Sequence, residues 1–364
     1  MNIGVLLRQP IEKMGTLEGT PWKRLATVAL ESGHCCHFFT LNDIDIENKL
    51  VFASKIRPAN ELCWQTRLNP IPTIIYNQLD CNSLPTPAAQ ACFAKFVHFL
   101  FREQPQIKIF NLHQLDKYQA YQTIAKYKSL CGYLPATQLY DQETLLKFIK
   151  KYKNIYIKPL NLSLGQGICQ VMTTTEGYAV KFRLKGKLCL GQAKTLATLL
   201  SFLPKIMTGE QYLVQETIDL ATVNGDLPFL FRVHLFKNQQ GNWSVAAIIG
   251  RVGTGKHDYL ISPRFGGYLQ EHRELLAQAF NTKAAKIMEK IVSVNLAIAP
   301  VLEQESPYLL GELGTDTLVD KYQQVKILEI NYKPNWSLFN DFPHIQTKLS
   351  QSFLSFCSYL HVMQ

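Results

Sequence analysis

GELGTDTLVDKYQQVKILEINYKPN, residues 311–335, carries two apolar runs on either side of a polar turn at Asp320–Gln324. The runs predict strands over Leu309–Leu318 and Val325–Ile330, joined as a hairpin by the short loop. Asp316 and Glu329, thirteen residues apart, then sit opposite one another or one place off. Glu329 and Asn331 are two apart on one strand and share a face. Two carboxylates and an amide oxygen thus converge from neighbouring strands. That is the donor set a hard cation such as Mg²⁺ takes, with nucleotide phosphates and water completing its shell. A single carboxylate on an edge strand is more simply read as solvated. The trio resists that reading, because Glu329 and Asn331 follow the apolar Ile327-Leu328 and immediately precede Lys333-Pro334.

Upstream, YIKPLNLSLGQGI (Tyr156–Ile168) puts a lysine on a strand and follows it with Ser163, Gly165 and Gly167. Lys158 supplies a point charge for phosphate, and glycines let backbone N–H groups approach oxygens closely. The spacing is neither GxxxxGK[ST] nor GxGxxG, so the P-loop and dinucleotide fingerprints both fail; a glycine-rich hairpin turn is the plain alternative. YLVQETIDL (Tyr212–Leu220) is an apolar strand that turns polar at Gln215-Glu216. An exposed backbone edge there can hydrogen-bond a base, and a nearby carboxylate can accept ribose hydroxyls; by itself the segment reads equally as an ordinary strand end. Arg232 in FLFRVHLF and Arg251 in AAIIGRVG are charges set within apolar strands. A buried guanidinium requires a partner, either a carboxylate or a bound phosphate.

The wider chain bounds these readings. At 364 residues it should hold two or three lobes. With 47% hydrophobic and 18% charged residues it has an ordinary globular composition. The opening MNIGVLLRQP reads as a short buried strand, too brief for a signal core, and no run of about 18 apolar residues follows, so a cytoplasmic location is expected. Nine scattered cysteines, without CxxC or zinc-type Cys/His spacing, read as reduced packed thiols. The net charge of +10 favours acidic ligands over nucleic acid. The densest basic run, KFIKKYKNIYIK at Lys147–Lys158, reads as a solvated helix face leading into a strand.

Residues 1–112 alternate short apolar runs (Ile3–Leu7, Cys36–Leu41, Thr73–Tyr76, Ile107–Phe110) with helical stretches (Trp22–Ser32, Ala88–Phe101). That rhythm predicts a small parallel α/β lobe. Residues 113–215 are expected to form a second lobe. It has helices at about 116–131 and at 141–152 behind an Asp141 N-cap, a strand Ile155–Pro159, and a meander Ile168–Thr173, Tyr178–Leu184, Lys187–Leu190. A helix near Gln192–Leu203 and the strand Gln211–Glu216 complete it. Residues 216–364 are expected to form the third lobe, with strands Phe229–Phe236 and Trp243–Val252 beside the metal hairpin, a helix at about 270–295 and a closing amphipathic helix at 344–360.

In this order the segments resemble the ATP-grasp superfamily, and within it the YheC/YheD-type spore-coat-associated proteins. The resemblance covers about 73–339 and rests on IPTIIYNQL, IFNLHQLDKYQAYQTIA, YIKPLNLSLGQGI, YLVQETIDL, FRVHLFKNQQGNWSVAAIIGRVG and LEINYKP. It implies two α+β lobes clamping nucleotide, preceded by a small parallel α/β domain. It further implies that Lys117 of the DK pair and Lys158 bind phosphates, and that the 163–167 loop folds over the β- and γ-phosphates. Gln215–Ile218 would frame the adenine, with Glu216 or Asp219 on the ribose. Asp316, Glu329 and Asn331 would hold one or two Mg²⁺ ions, and Arg232 and Arg251 would face phosphate and reacting acyl group. One block departs: where the family tends to show Asn-Leu-Ser-Arg-Gly-Gly, this chain reads Ile261-Ser262-Pro263-Arg264-Phe265-Gly266-Gly267.

The resemblance implies an ATP- and Mg²⁺-dependent ligase that activates a small-molecule or peptide carboxylate, acidic in keeping with the chain's charge, as an acyl phosphate for attack by an amine. Two other classes stay open, an ATP-dependent phosphotransferase and a nucleotide-binding coat-associated protein without turnover; product analysis separates them.

Overall fold

The computed structural model describes the chain except residues 58–62, 81–83, 85, 113–114, 161, 163–164, 208–210, 256–257, 364 and the side chains of 16–18. Its first sheet runs Ile44–Asp45, Leu50–Arg57, Cys35–Phe39, Asn2–Leu6, Ile74–Asn77, Lys108–Phe110. The last four strands are parallel, as the strand-helix rhythm predicts. The lobe is wider than that rhythm suggests: Leu50–Arg57 and Cys63–Pro70 form an antiparallel hairpin on its edge. The outer strand, Cys63–Pro70, is half polar with no buried residue and leaves little apolar signature in the sequence, whereas Leu50–Arg57 buries Val51, Ala53 and Ile56.

The second sheet is wholly antiparallel, ordered Lys187–Ala193, Gly177–Leu184, Cys169–Thr174, Asn154–Pro159, Tyr212–Glu216, Thr137–Leu139. Its back face packs Ile155, Ile157, Val171, Val180 and Val214 under the helices Gln142–Tyr152 and Leu196–Phe202. Period-two alternation therefore turns Tyr156, Lys158 and Gln215 to the front. Asp141 caps its helix as expected, accepting from the Thr144 N–H. The next helix starts at Leu196, four residues later than the sequence suggests, because Thr195 caps it and Gln192 still belongs to a strand.

The third sheet runs Tyr268–Glu271, Trp243–Val252, Leu227–Lys237, Glu312–Val319, Val325–Asn331, again antiparallel. Ala284–Gln304 covers its back through Ile287, Ile291, Val294 and Ile298. The single helix expected at 270–295 is two, His272–Phe280 and Ala284–Gln304, broken at Asn281, where φ is +51°. Likewise the 116–131 helix divides into Lys117–Ala125 and Lys128–Cys131 around an extended Tyr127. The closing helix, Pro343–Val362, joins the lobes: Phe353, Phe356 and Leu360 share one core with Ile3, Val5 and Trp22 of the first lobe and Phe236 of the third. Trp22 stacks on Trp336 at 5.5 Å between centroids.

Candidate functional site

Asp316 and Glu329 face one another across the hairpin, the first of the two arrangements their spacing allows. The register then slips, Thr317 pairing with Ile327, so Leu328 is the extra residue of a β-bulge. Its freed carbonyl accepts from the Tyr121 hydroxyl. On the other side of Asp316 lies its ladder partner Arg232, with Arg251 diagonal to it on the next strand. One face of four strands thus presents two guanidiniums, two carboxylates and the Asn331 amide to a cleft of about 800 Å³.

The partner expected for each buried arginine is a carboxylate, and it is the same one for both. Arg232 Nε donates to Asp316 Oδ1 at 2.6 Å, and Arg251 Nη1 lies 3.4 and 3.3 Å from Asp316 Oδ1 and Oδ2. Burial alone would raise the Asp316 carboxyl, but the Arg232 and Arg251 charges outweigh it and hold it down at about 2. Burial, reinforced by the Arg232 charge, pushes Arg251 down to about 10. Arg232 moves the other way: burial opposes its charge, and Asp316 more than offsets that. Arg251 Nε and Asn331 Nδ2 are buried and make no hydrogen bond among the described residues.

Two lysines face this cluster, Lys158 from the second sheet and Lys117 from a helix that packs through Ala120 and Ile124 into the core of the third sheet rather than into the second lobe expected to hold it. Lys117 opens the Lys117–Ala125 helix behind an Asp116–Gln119 capping box, a position the helix dipole does not favour for a cation. Its ammonium is held by the Leu162 carbonyl at 2.7 Å and by Glu329 at 3.4 Å. Lys158 Nζ donates to Gln215 Oε1 at 2.5 Å, and the Gln215 amide nitrogen donates to Tyr121 Oη and Thr137 Oγ1. Burial pushes Lys158 down to about 8; Glu329 and Asp316 oppose that, and Lys117 adds to it.

Both lobes also contribute the roof. Gly165 lines the cleft at φ +76°, and a Cβ there would stand 2.9 Å from Leu260 and 3.1 Å from Phe265, so only glycine fits. The Tyr156 hydroxyl donates to the Tyr259 carbonyl and the Tyr259 hydroxyl to that of Ile168, each at 2.8 Å. Arg183 of the second sheet pairs with Asp258 and lies 4.0 Å over the Phe265 ring. The divergent segment enters this roof directly, with Ile261 to Phe265 lining the cleft. Its glycine pair is required sterically: Gly266 has φ +90°, and a Cβ on Gly267 would meet the Val252 carbonyl at 2.4 Å.

Of the sequence candidates, Lys117, Lys158, Gly165, Gln215, Glu216, Ile218, Arg232, Arg251, Asp316, Glu329 and Asn331 all line this one cleft. Gly167 does not; at φ +67° it turns the chain behind the loop, against Pro159, Leu162 and Tyr212. Asp219 also stands apart, since its exposed carboxylate pairs with Lys321 at 2.7 Å. Glu216, which accepts from the Ala136 N–H at 2.8 Å, is the carboxylate on that wall. Ser163 lies outside the described residues. Sequence reasoning missed Tyr121, Tyr156, Tyr259 and Arg183. Tyr121 was within reach, one helical turn beyond Lys117; Arg183 and Tyr259 carried no local signal.

The trio suits Mg²⁺ by donor type, with carboxylate and amide oxygens on one face and no sulfur or imidazole among them. Each carboxylate oxygen has two lone pairs, so the arginines' grip on Asp316 leaves it able to bind a cation as well. Among the described residues no helix is long and apolar enough to cross a membrane.

The family model described as YheC/D-like ATP-grasp matches residues 106–360. The endospore coat-associated protein YheD of Bacillus subtilis (strain 168) is 26% identical over 345 residues, covering 93% of this chain and 73% of that protein. Among solved structures, the VanG D-Ala:D-Ser ligase from Enterococcus faecalis is 13% identical with a TM-score of 0.54, covering 99% of both chains. The ATP-grasp ligase PsnB complexed with minimal precursor, Mg and ADP is 12% identical with a TM-score of 0.52, covering 97% of this chain and 96% of that one. Both share the fold.

Proposed function

Since the chain belongs to the YheC/D-like ATP-grasp family, we propose that it binds ATP with Mg²⁺ in this cleft and joins a carboxylate to an amine, forming an amide-type bond and releasing ADP and phosphate. One observation carries the reading. Among the described residues Lys117, Lys158, Arg232, Arg251, Arg264 and Lys333 line the cleft against Glu216, Asp316 and Glu329, leaving three positive charges in surplus. A polyanion is the ligand that relieves such a surplus. The wall formed by Leu213, Ile218, Leu220 and Leu318 offers an apolar seat for a base beside it.

Asp316, Glu329 and Asn331 would hold one or two Mg²⁺ ions, which when bound neutralise phosphate charge. Lys117 and Lys158 would bind phosphates, and the 163–167 loop would cover the β- and γ-phosphates. Gln215, already fixed by three hydrogen bonds, orients Lys158. Glu216 is better placed than Asp219 for the ribose. In the reaction a substrate carboxylate oxygen takes the γ-phosphoryl group from ATP, with ADP as the leaving group, and the amine then displaces phosphate from the acyl carbon and gives up a proton. Arg251, with its unpartnered Nε, and Arg232 stabilise charge on the transferring oxygens. The work is positioning and electrostatics, so no acid/base pair is required. The carboxylate is a small molecule or a peptide, and the Ile261–Phe265 segment lines the cleft in which it would react.

The test supplies ATP, Mg²⁺ and pooled carboxylates without amine and quenches with hydroxylamine. A hydroxamate from wild type, lost by about 10²- to 10³-fold in Arg251→Ala with ATP binding retained, is the expected result. A stably phosphorylated product instead would make this a phosphotransferase. ATP binding with no turnover in any pool would favour a coat-associated nucleotide-binding protein, the reading that YheD's name suggests.

A further inference from the structure

The hairpin Gly177–Leu184/Lys187–Ala193 lies at the far edge of the second sheet from Thr137–Leu139, and among the described residues Lys187–Ala193 pairs on one side only. Its outer edge therefore offers free backbone donors and acceptors to another strand. Natural edges are short or blunted by bulges and inward charges. This one is seven residues long and regular, and it shows apolar side chains to solvent. Leu190 is 73% exposed and Leu188 37%. Leu188 and Leu190 lie opposite Arg183 and Lys181 in the ladder, and so on the same face as Tyr156 and Lys158, which forms the cleft. The opposite face packs Phe182 and Gly191 against Phe202 and is filled.

Charge adds a second signal. Residues 177–194 contain Lys181, Arg183, Lys185, Lys187 and Lys194 and not one Asp or Glu. An exposed strand edge, two leucines facing the cleft side and a one-signed run of cations together describe a receptor for an extended chain with alternating apolar and acidic residues. We propose that the Lys187–Ala193 edge docks an acidic peptide segment by strand addition. Its apolar side chains lie beside Leu188 and Leu190, and its carboxylates beside Lys187 and the flanking lysines. Main-chain hydrogen bonds supply the affinity, the leucines fix the register, and the lysines reject basic sequences. The docked chain continues along the same sheet face towards Lys158. This deepens the ligase reading by making the carboxylate substrate, or the chain that bears it, a peptide, and it rests on that reading only for where the chain leads.

The test uses full-length protein without nucleotide and a fluorescein-labelled eight-residue peptide of alternating Leu and Glu, followed by anisotropy. Saturable binding is expected, weakened about tenfold or more in Leu188→Asp/Leu190→Asp and several-fold in Lys187→Glu, and falling with added salt. A Leu-Lys peptide should not bind. Each variant should keep the wild-type melting temperature and its rise with MgATP, since none of these residues lines the cleft. No binding of the Leu-Glu peptide, or binding indifferent to all three substitutions, overturns the proposal. So does edge-dependent binding of a single-stranded oligonucleotide or of anionic vesicles in place of the peptide. An absent MgATP shift with intact peptide binding would remove the ligase reading and leave the docking edge standing.

Discussion

Glu312→Gln should change how stability depends on pH. Glu312 is fully buried where the first and third lobes meet. It accepts from Trp336 Nε1 at 2.6 Å and from the Tyr76 hydroxyl, which itself accepts from Gln78. The facing His234 ring stands 3.8 Å away and is kept neutral, its pKa well down through burial and the Arg232 and Arg251 charges. Burial pushes the Glu312 carboxyl up to about 8 from an ordinary 4.5. Below 4.5 both states hold the proton and the group contributes no slope. Between 4.5 and 8 the unfolded chain has released the proton while the folded one keeps it, so stability falls as pH rises, by about 1.4 kcal/mol per pH unit. Above 8 both states are ionised and the loss levels off. From pH 6.5 to 8 the loss from this residue is about 1.5 kcal/mol, allowing for partial ionisation near 8. Glutamine has no proton to lose and can still accept from Trp336, so the gap in unfolding free energy between variant and wild type should shift by that amount in the variant's favour. Urea titrations at four pH values across the window measure it. A gap that stays constant with pH would show that Glu312 is already ionised in the folded protein, and the argument from burial would fail.

Three further outcomes bear on the cleft. MgATP should raise the melting temperature more than GTP does, by mass action on the native state; no shift at millimolar MgATP would remove the nucleotide site. Glu329→Gln, at a half-exposed side chain whose ion-pair partner among the described residues is Lys117 at 3.4 Å, should melt close to wild type, yet lose Mg²⁺-dependent ADP formation by an order of magnitude or more, because an amide is a poorer hard-cation ligand; an unfolded variant would mark Glu329 as structural. With Lys158 pushed down to about 8, its charge is lost as pH rises through 8. ATP affinity measured by calorimetry should then drop by up to tenfold per pH unit above that point, with proton uptake on binding; affinity flat from pH 7 to 9.5 would mean that Lys158 does not meet phosphate.

What was legible in the sequence was whatever repeats at short range. Apolar runs gave the inner strands of all three sheets, and the thirteen-residue spacing with its polar turn narrowed the Asp316–Glu329 pairing to two registers, of which the directly opposed one is found. Of the hairpin Leu50–Arg57/Cys63–Pro70 the outer strand escaped because it is half polar and unburied, and without it the inner strand had no visible partner. The breaks at Tyr127 and Asn281 escaped because helical periodicity continues across them. Long-range pairings escaped for a different reason: Arg183 and Asp258 are 75 residues apart and Tyr156 and Tyr259 are 103 apart, and no local pattern marks a contact made by docking one lobe on another. The sequence did mark Gly165, but not that Leu260 and Phe265 are what forbid a side chain there.

Asp316 is asked to be counter-ion to two arginines and ligand to a metal, and the two roles look exclusive until the charges are counted. In an isolated ion-pair network each buried cation would have its own carboxylate, since an unmatched buried charge is costly. Here one carboxylate is shared by Arg232 and Arg251, and Glu329 alone faces Lys117. The strain of that arrangement is visible in the cations, with Lys158 pushed below its ordinary range by burial and the Lys117 charge, and Arg251 by burial and the Arg232 charge. Such an arrangement is poor as scaffolding and apt as a receptor. A triphosphate entering with its metal brings the missing negative charge to the arginines and lysines, and the metal's positive charge to the carboxylates, so each group gains a partner without Asp316 having to leave either one. The surplus therefore argues that the cluster is completed by its ligand, and it explains why the carboxylates and arginines sit on one face of four adjacent strands rather than being distributed through the core.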